Sequence, residues 1–174
     1  AAGMATDSVT WVNIKPNAKI AALKSDSIAV TTSFYNIHFV FQKIFGDDMG
    51  FVAGKDLGVN PYGNSVIANG KYLKENPGVV KNFVKVTQKA YAACAKNADP
   101  CITALMDANS GLKRGSSMAN WALVKELMDA DSSRNGAIGY FDPARMEADY
   151  KLIEAYFNRY FPDSIRIVAN RRRT

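Results

Sequence analysis

The chain has little of what enzyme active sites are usually built from. It contains one histidine, His38, and two cysteines. It has no G-x-G-x-x-G loop, no Walker phosphate loop and no H-E-x-x-H helix. A catalytic nucleophile needs a base beside it, and no serine lies in a sequence typical of a nucleophile elbow. We therefore expect a protein that is not an enzyme and needs no cofactor, in which His38 is either packed in a helix or a ligand contact.

Long apolar runs and basic clusters with interleaved aromatics are also absent. No apolar run approaches the roughly 18 residues of a membrane-spanning helix, and no secretory leader is recognisable. The net charge is +6, part of it comes from Arg171 to Arg173, and the other basic residues are spread among acids. We expect no nucleic-acid partner and no membrane span, while the charge favours small anions or acidic surfaces.

Cys94 and Cys101 flank a short polar turn between two predicted helices. A C-x6-C spacing with a single histidine in the chain is not a metal-binding pattern, so we expect no metal. A disulfide would close this loop, contribute about 2.5 kcal/mol by chain entropy and indicate an oxidising compartment. The alternative is two free thiols packed in helix faces, and the sequence leaves both open.

The segment from Ser27 to Asn36 is the main candidate for a binding site. Residues 28–31 predict a buried strand, and residues 34–45 predict a helix with an apolar face that Ser33 could cap. Ligands of open α/β sheets bind at the carboxyl ends of strands. The predicted ligand-binding residues there are Thr32, Ser33, Phe34, Tyr35, Asn36 and His38. The alternative is an ordinary strand-to-helix junction whose aromatic side chains fill the core.

A second group of amide and phenol side chains lies in a turn-rich loop. Asn60, Tyr62 and Asn64 alternate there with residues that favour turns, and glycines on either side would let a ligand approach the backbone. We predict that these three residues contact the ligand, and the alternative is a plain surface loop.

The remaining pattern predicts an α/β fold, with a small mixed sheet followed by a helical C-terminal half. Further strands are predicted at residues 9–14, 51–53 and 65–69. Residues 1–75 would form an α/β ligand-binding segment, and residues 76–174 a helical segment that packs on it. Helices are predicted after Asn76-Pro77, Asp99-Pro100 and Asp142-Pro143 and over residues 118–128. The inward side of the first of these helices would include Val80, Phe83, Val84, Thr87, Ala90, Tyr91 and Cys94.

Four stretches resemble one family. They are Trp11 to Ser25, Ser27 to Asn36, Asn60 to Ser65 and Tyr72 to Pro77. Together they resemble the second lobe of ABC-importer solute-binding proteins of the sulfonate, nitrate and thiamine-precursor type. The resemblance covers most of residues 3–157. The chain departs from the family where Asp26 and Ala29 replace the usual glycine and aspartate of a "gly-x-ile-asp-ala" strand.

The resemblance implies a two-lobed type 2 periplasmic binding protein. Such a protein closes on a small anionic or heteroaromatic solute and delivers it to a membrane permease. We expect a periplasmic protein, and residues 1–4 look like the end of a helix, as if the chain were a C-terminal fragment. Two alternatives remain: an enzyme on the same fold related to thiamine-pyrimidine synthesis, and a helical module that binds a protein partner.

Overall fold

The computed structural model describes residues 5–129 and 136–160, which form helices joined by extended loops and short 3-10 turns. The α-helices of the described residues are α1 (Lys19–Lys24), α2 (His38–Phe45), α3 (Gly70–Glu75), α4 (Pro77–Lys96), α5 (Asp99–Ala108), α6 (Arg114–Met128) and α7 (Pro143–Tyr160). The predicted helix end at residues 1–4 and the terminal arginines lie outside the described residues. The chain divides into two compact units, Ala1–Gly50 and Phe51–Thr174.

The predicted α/β fold with its small mixed sheet is wrong, because no β-strand occurs in residues 5–129 or 136–160. The segments predicted as strands are loops: residues 9–14, 28–31, 51–53 and 65–69. Several of their apolar side chains lie in solvent, since Trp11 is 82%, Val30 84% and Ile67 91% exposed. β-Propensity largely measures packing against neighbouring strands, so a strand-like sequence without a paired partner does not form a strand.

The first unit consists of α1, α2 and the extended segment between them. A 3-10 turn at Pro16–Ala18 leads into α1, because the fixed φ of proline suits the first turn of a helix. Another 3-10 turn, Tyr35–Ile37, leads into α2. Phe41 of α2 is 8% exposed and its ring stacks on that of Phe45, with 6.5 Å between centroids. The first predicted site therefore lies in the connection between two short helices.

The second unit contains α3 to α7. Asn69 starts α3, because its Oδ1 accepts hydrogen bonds from the backbone N–H groups of Lys71 at 2.9 Å and Tyr72 at 3.2 Å. This cap satisfies donors that a helix N-terminus leaves unpaired. The predicted strand over residues 65–69 is thus a loop that ends in a helix cap. By contrast, Asn76 precedes Pro77 without a side-chain cap bond.

The most enclosed part of the second unit is the contact between α5 and α6. Ile102 of α5 and Ser117 of α6 are both buried. Arg114, at the start of α6, forms an ion pair with Asp99, at the start of α5, and donates a second hydrogen bond to the Thr103 hydroxyl at 3.1 Å. These contacts fix the two helix starts to each other.

The apolar stripe of α4 is only partly covered. Val80, Thr87 and Cys94 are half-buried as predicted. The prediction is wrong for the other members of the stripe, which are exposed: Phe83, Val84, Ala90 and Tyr91. The spacing of apolar residues predicted that a whole face of α4 is buried. Only a narrower strip of that face is half-buried in the structure. Among residues 5–129 and 136–160, no helix combines the length and the apolar character that crossing a membrane requires.

Candidate functional site

The first predicted group of binding residues is held through its backbone. Lys19, at the start of α1, donates a hydrogen bond from Nζ to the carbonyl oxygen of Thr32 at 2.6 Å. Thr32, Ser33 and Phe34 are exposed, and Phe34 has 71% of its surface in solvent. The Lys19 contact thus fixes the path of the chain while the following side chains stay accessible.

Tyr35, Asn36 and His38 form the more enclosed part of the same group, and all three are half-buried. The rings of Tyr35 and His38 stack, with centroids 5.5 Å apart and planes inclined by 22°. They lie three residues apart where a 3-10 turn enters α2, a spacing that places side chains on the same side. We call residues 32–38 the ring segment, because it brings Phe34, Tyr35 and His38 into five consecutive positions.

The predicted role of Ser33 as a helix cap is wrong. Neither the 3-10 turn at Tyr35–Ile37 nor α2 has a side-chain cap hydrogen bond. The Ser33 Oγ lies instead 3.5 Å from the carbonyl oxygen of Phe34. The 3-10 turn moves the start of α2 to His38, so Ser33 is too far upstream to cap it. Its hydroxyl is left with one long contact to the neighbouring backbone.

The second predicted group contains one anchored residue and two surface residues. Asn60 and Asn64 are exposed, whereas Tyr62 is half-buried. The Tyr62 hydroxyl accepts a hydrogen bond from the backbone N–H of Asp142 at 2.9 Å. Its backbone N–H donates to Oδ2 of Asp149 at 3.3 Å. Tyr62 therefore fastens this loop to the start of α7.

Arg145 covers the ring of Tyr62. Its guanidinium carbon lies 4.1 Å from the ring centroid, within the range of cation–π contacts. One guanidinium nitrogen donates to the carbonyl oxygen of Asn60 at 2.8 Å. Phe141 meets the same Tyr62 ring edge-on, with 4.9 Å between centroids. We call this group the Tyr62 cluster: Tyr62, Phe141, Asp142, Arg145 and Asp149.

The structure assigns the two predicted groups to different units. The ring segment belongs to the unit Ala1–Gly50, and Asn60, Tyr62 and Asn64 belong to the unit Phe51–Thr174. Within the ring segment the structure brings Tyr35 and His38 together. Within the loop, Tyr62 contacts α7, while the side chains of Asn60 and Asn64 face solvent.

Sequence reasoning missed the two cations that position these segments. Lys19 bonds to a residue 13 positions away, and the Tyr62 hydroxyl bonds to a residue 80 positions away. The only local signal near Arg145 was the helix start, where Oδ1 of Asp142 accepts from the Arg145 backbone N–H at 2.8 Å. Such a cap is recognisable in a sequence, whereas the distant partner of the arginine is not.

Cys94 and Cys101 are joined by a disulfide in the structure. Of the two alternatives that the sequence left open, the structure therefore has the bridged one. The bond ties the end of α4 to the start of α5, and it uses both cysteines of the chain. Within the described ranges, no group of three or more His, Cys, Asp or Glu side chains is placed to hold a metal ion.

The ring segment places hydroxyl, amide and aromatic groups in one short stretch. The chain belongs to the NMT1/THI5-like family, because the model of that family matches residues 1–100. The match includes the ring segment and the loop of Tyr62. It confirms the resemblance to solute-binding proteins of the sulfonate, nitrate and thiamine-precursor type. Neither a curated protein nor a solved structure matches the chain.

Proposed function

We propose that this protein binds a small anionic or heteroaromatic solute reversibly, through the ring segment, and releases it unchanged. The observation that carries the proposal is that the family match over residues 1–100 includes an exposed Phe34 beside the stacked rings of Tyr35 and His38. An accessible aromatic side chain next to a stacked pair is typical of a contact for a planar ligand.

The other side chains of the ring segment suit an anionic head group. The hydroxyls of Thr32 and Ser33 are exposed, and the Asn36 amide lies in the same turn. Hydroxyl and amide N–H groups donate hydrogen bonds to sulfonate, nitrate or carboxylate oxygens without adding a fixed charge. The Thr32 carbonyl already accepts a hydrogen bond from Lys19, so we assign recognition of the solute to the side chains of the segment.

Transport is the role that this kind of binding would serve. We propose that two lobes close on the solute in the periplasm and deliver it to the membrane permease of an ABC importer. The family match supports the solute-binding part of this role. The disulfide between Cys94 and Cys101 supports an oxidising compartment such as the periplasm, where disulfides form and persist.

The second predicted group has a supporting role in this proposal. Tyr62 is held by Asp142, Asp149 and Arg145, so its ring and hydroxyl are already occupied by protein contacts. The exposed amides of Asn60 and Asn64 are the members of that loop that remain suited to touch a solute. We therefore place the solute contacts of this proposal in the ring segment, and the predicted contacts at Asn60 and Asn64 stay predictions.

Native mass spectrometry of the gently purified protein tests the proposal. We expect a bound small molecule at one copy per chain, lost from the Phe34→Ala variant and retained by Tyr72→Ala. Tyr72 is an exposed aromatic of α3 and serves as the matched control. Equal occupancy in both variants would show that the ring segment is not the binding surface.

The same experiment separates binding from catalysis. After incubation with the released solute, we expect its mass to be unchanged, because both cysteines are held in the disulfide and supply no thiol nucleophile. A product of altered mass that requires intact His38 would instead support the enzyme alternative.

A further inference from the structure

A row of lysines runs along one side of α4. Lys81, Lys85, Lys89 and Lys96 fall within an arc of about 80°, because an α-helix turns by roughly 100° per residue. All four are exposed. The helix contains no aspartate or glutamate, and the ion pairs of the described residues involve none of these four lysines. Among the described residues, the row is therefore a strip of positive charge without an ion-pair partner.

An exposed apolar strip lies beside this lysine row. It begins with three residues spaced by four and then three positions: Val79, Phe83 and Val86. The exposed fraction of the residue is 55% for Val79, 56% for Phe83 and 65% for Val86. Ala90 and Ala93 continue the same line and are also exposed. The half-buried side chains of α4, such as Val80, Thr87 and Cys94, lie immediately beside this line, on the side away from the lysines. We call Val79, Phe83, Val86, Ala90 and Ala93 the α4 strip.

We propose that the lysine row and the α4 strip together form a docking surface for an anionic lipid bilayer. A helix with an apolar line beside a row of lysines is the pattern that binds in the plane of a membrane interface. The lysines would meet lipid phosphates, while Val79, Phe83 and Val86 enter the boundary between head groups and acyl chains. A 20-residue helix presents this surface over roughly 30 Å.

The composition of the surface favours lipid over a protein partner. Protein interfaces draw most of their binding energy from tryptophan, tyrosine and arginine anchors that fill pockets. The α4 strip and the lysine row contain only valine, phenylalanine, alanine and lysine. Lysine is a flexible, strongly hydrated point charge that suits a fluid array of phosphates, whereas arginine suits fixed bidentate partners.

Flotation with lipid vesicles tests the proposal on the whole protein. We expect binding to vesicles of three parts phosphatidylcholine to one part phosphatidylglycerol, and none to pure phosphatidylcholine. Binding should weaken strongly when sodium chloride is raised towards 1 M, where the screening length falls to about 3 Å. Lys85→Glu with Lys89→Glu should weaken it about 30-fold or more, since each lysine near an anionic surface contributes about fivefold.

A matched pair of variants separates the surface from net charge. Lys55→Glu with Lys125→Glu changes the net charge by the same amount at exposed lysines outside α4. This variant should bind within about fivefold of the unchanged protein. Val86→Ser keeps all charges and should still weaken binding several-fold, because it removes an apolar contact. Far-UV circular dichroism would verify that each variant keeps its helices.

Three results would overturn the proposal. The first is a protein that fails to float with phosphatidylglycerol vesicles. The second is equal loss of binding in the two double variants, which would mean that net charge alone attracts the protein. The third is a dimer in sedimentation velocity that Val86→Asp dissociates, which would show that a second copy covers the α4 strip.

Discussion

The ring segment and the loop of Asn60, Tyr62 and Asn64 have similar compositions and opposite surroundings. Both combine aromatic rings with amides or hydroxyls in a stretch without regular strand structure. In the ring segment Phe34 is largely exposed, and the cation Lys19 contacts only the backbone. In the Tyr62 cluster the cation Arg145 covers the ring, and the hydroxyl is bonded to Asp142.

We propose that the position of a nearby cation distinguishes a solute-binding surface from a structural contact. A cation that bonds to a carbonyl fixes the chain and leaves the side chains accessible. A cation packed over the ring occupies the aromatic face on which a planar ligand would stack. We therefore expect Tyr62 to contribute to stability and Phe34 to contact the proposed solute, and mutation can contradict either expectation.

The largest effect should come from removing the ring of the anchored tyrosine. Tyr62→Ala deletes a half-buried ring, a cation–π contact and the hydrogen bond to Asp142, so we expect a loss of about 3 kcal/mol in unfolding free energy. Urea unfolding would measure it. Tyr62→Phe keeps the ring and should lose only about 1 kcal/mol. Equal losses in both variants would mean that the ring contributes nothing.

Removal of the disulfide should have the next largest effect. The bond between Cys94 and Cys101 closes a loop with a sequence separation of 7, for which chain entropy predicts about 2.5 kcal/mol. Cys94→Ser with Cys101→Ser should lower the free energy of unfolding by that amount. A reducing agent should destabilise the unchanged protein and leave the double variant unaffected. Insensitivity of the unchanged protein would contradict the contribution assigned to the bond.

The coupling between Arg145 and Tyr62 should be smaller but measurable. A double-mutant cycle with Arg145→Ala and Tyr62→Ala isolates the pair, whose guanidinium lies 4.1 Å from the ring centroid. We expect a coupling free energy of about 0.5 to 1 kcal/mol for a partly exposed cation–π pair. Additive losses in the cycle would show that the guanidinium gains nothing from the ring.

The smallest effect on stability should come from the exposed ring of the proposed site. Phe34 is 71% exposed, so Phe34→Ala should change the free energy of unfolding by less than about 0.5 kcal/mol. Thermal and urea unfolding of this variant beside Tyr62→Ala would complete the comparison. A loss as large as that of Tyr62→Ala would place Phe34 in a core and remove it from the binding surface.

Local signals in the sequence predicted the helices well. Three helices have a proline at their first or second position, namely Pro77, Pro100 and Pro143. These helices begin at Pro77, Asp99 and Pro143. A proline in the first turn loses no hydrogen bond there, so the signal acts within a few residues. The family resemblance, carried by short stretches such as Trp11 to Ser25, was likewise recognisable.

Contacts between distant residues were not predictable in the same way. The strand over residues 28–31 needed a neighbouring strand, and none occurs in the described ranges, so Val30 lies in solvent. The loop residue Tyr62 looked like a ligand contact because its partners Asp142 and Arg145 are far away in the sequence. Packing energy determined both outcomes, and a single sequence does not display it.

The most direct test of the account is a calorimetric titration of the protein, Phe34→Ala and Tyr72→Ala. The probes would be methanesulfonate, nitrate, acetate and a 4-aminopyrimidine, which represent the four proposed solute classes. We predict saturable one-to-one binding of at least one probe, weakened at least tenfold by Phe34→Ala and unchanged by Tyr72→Ala. Equal affinity of Phe34→Ala and the unchanged protein, or no binding of any probe, would contradict the account.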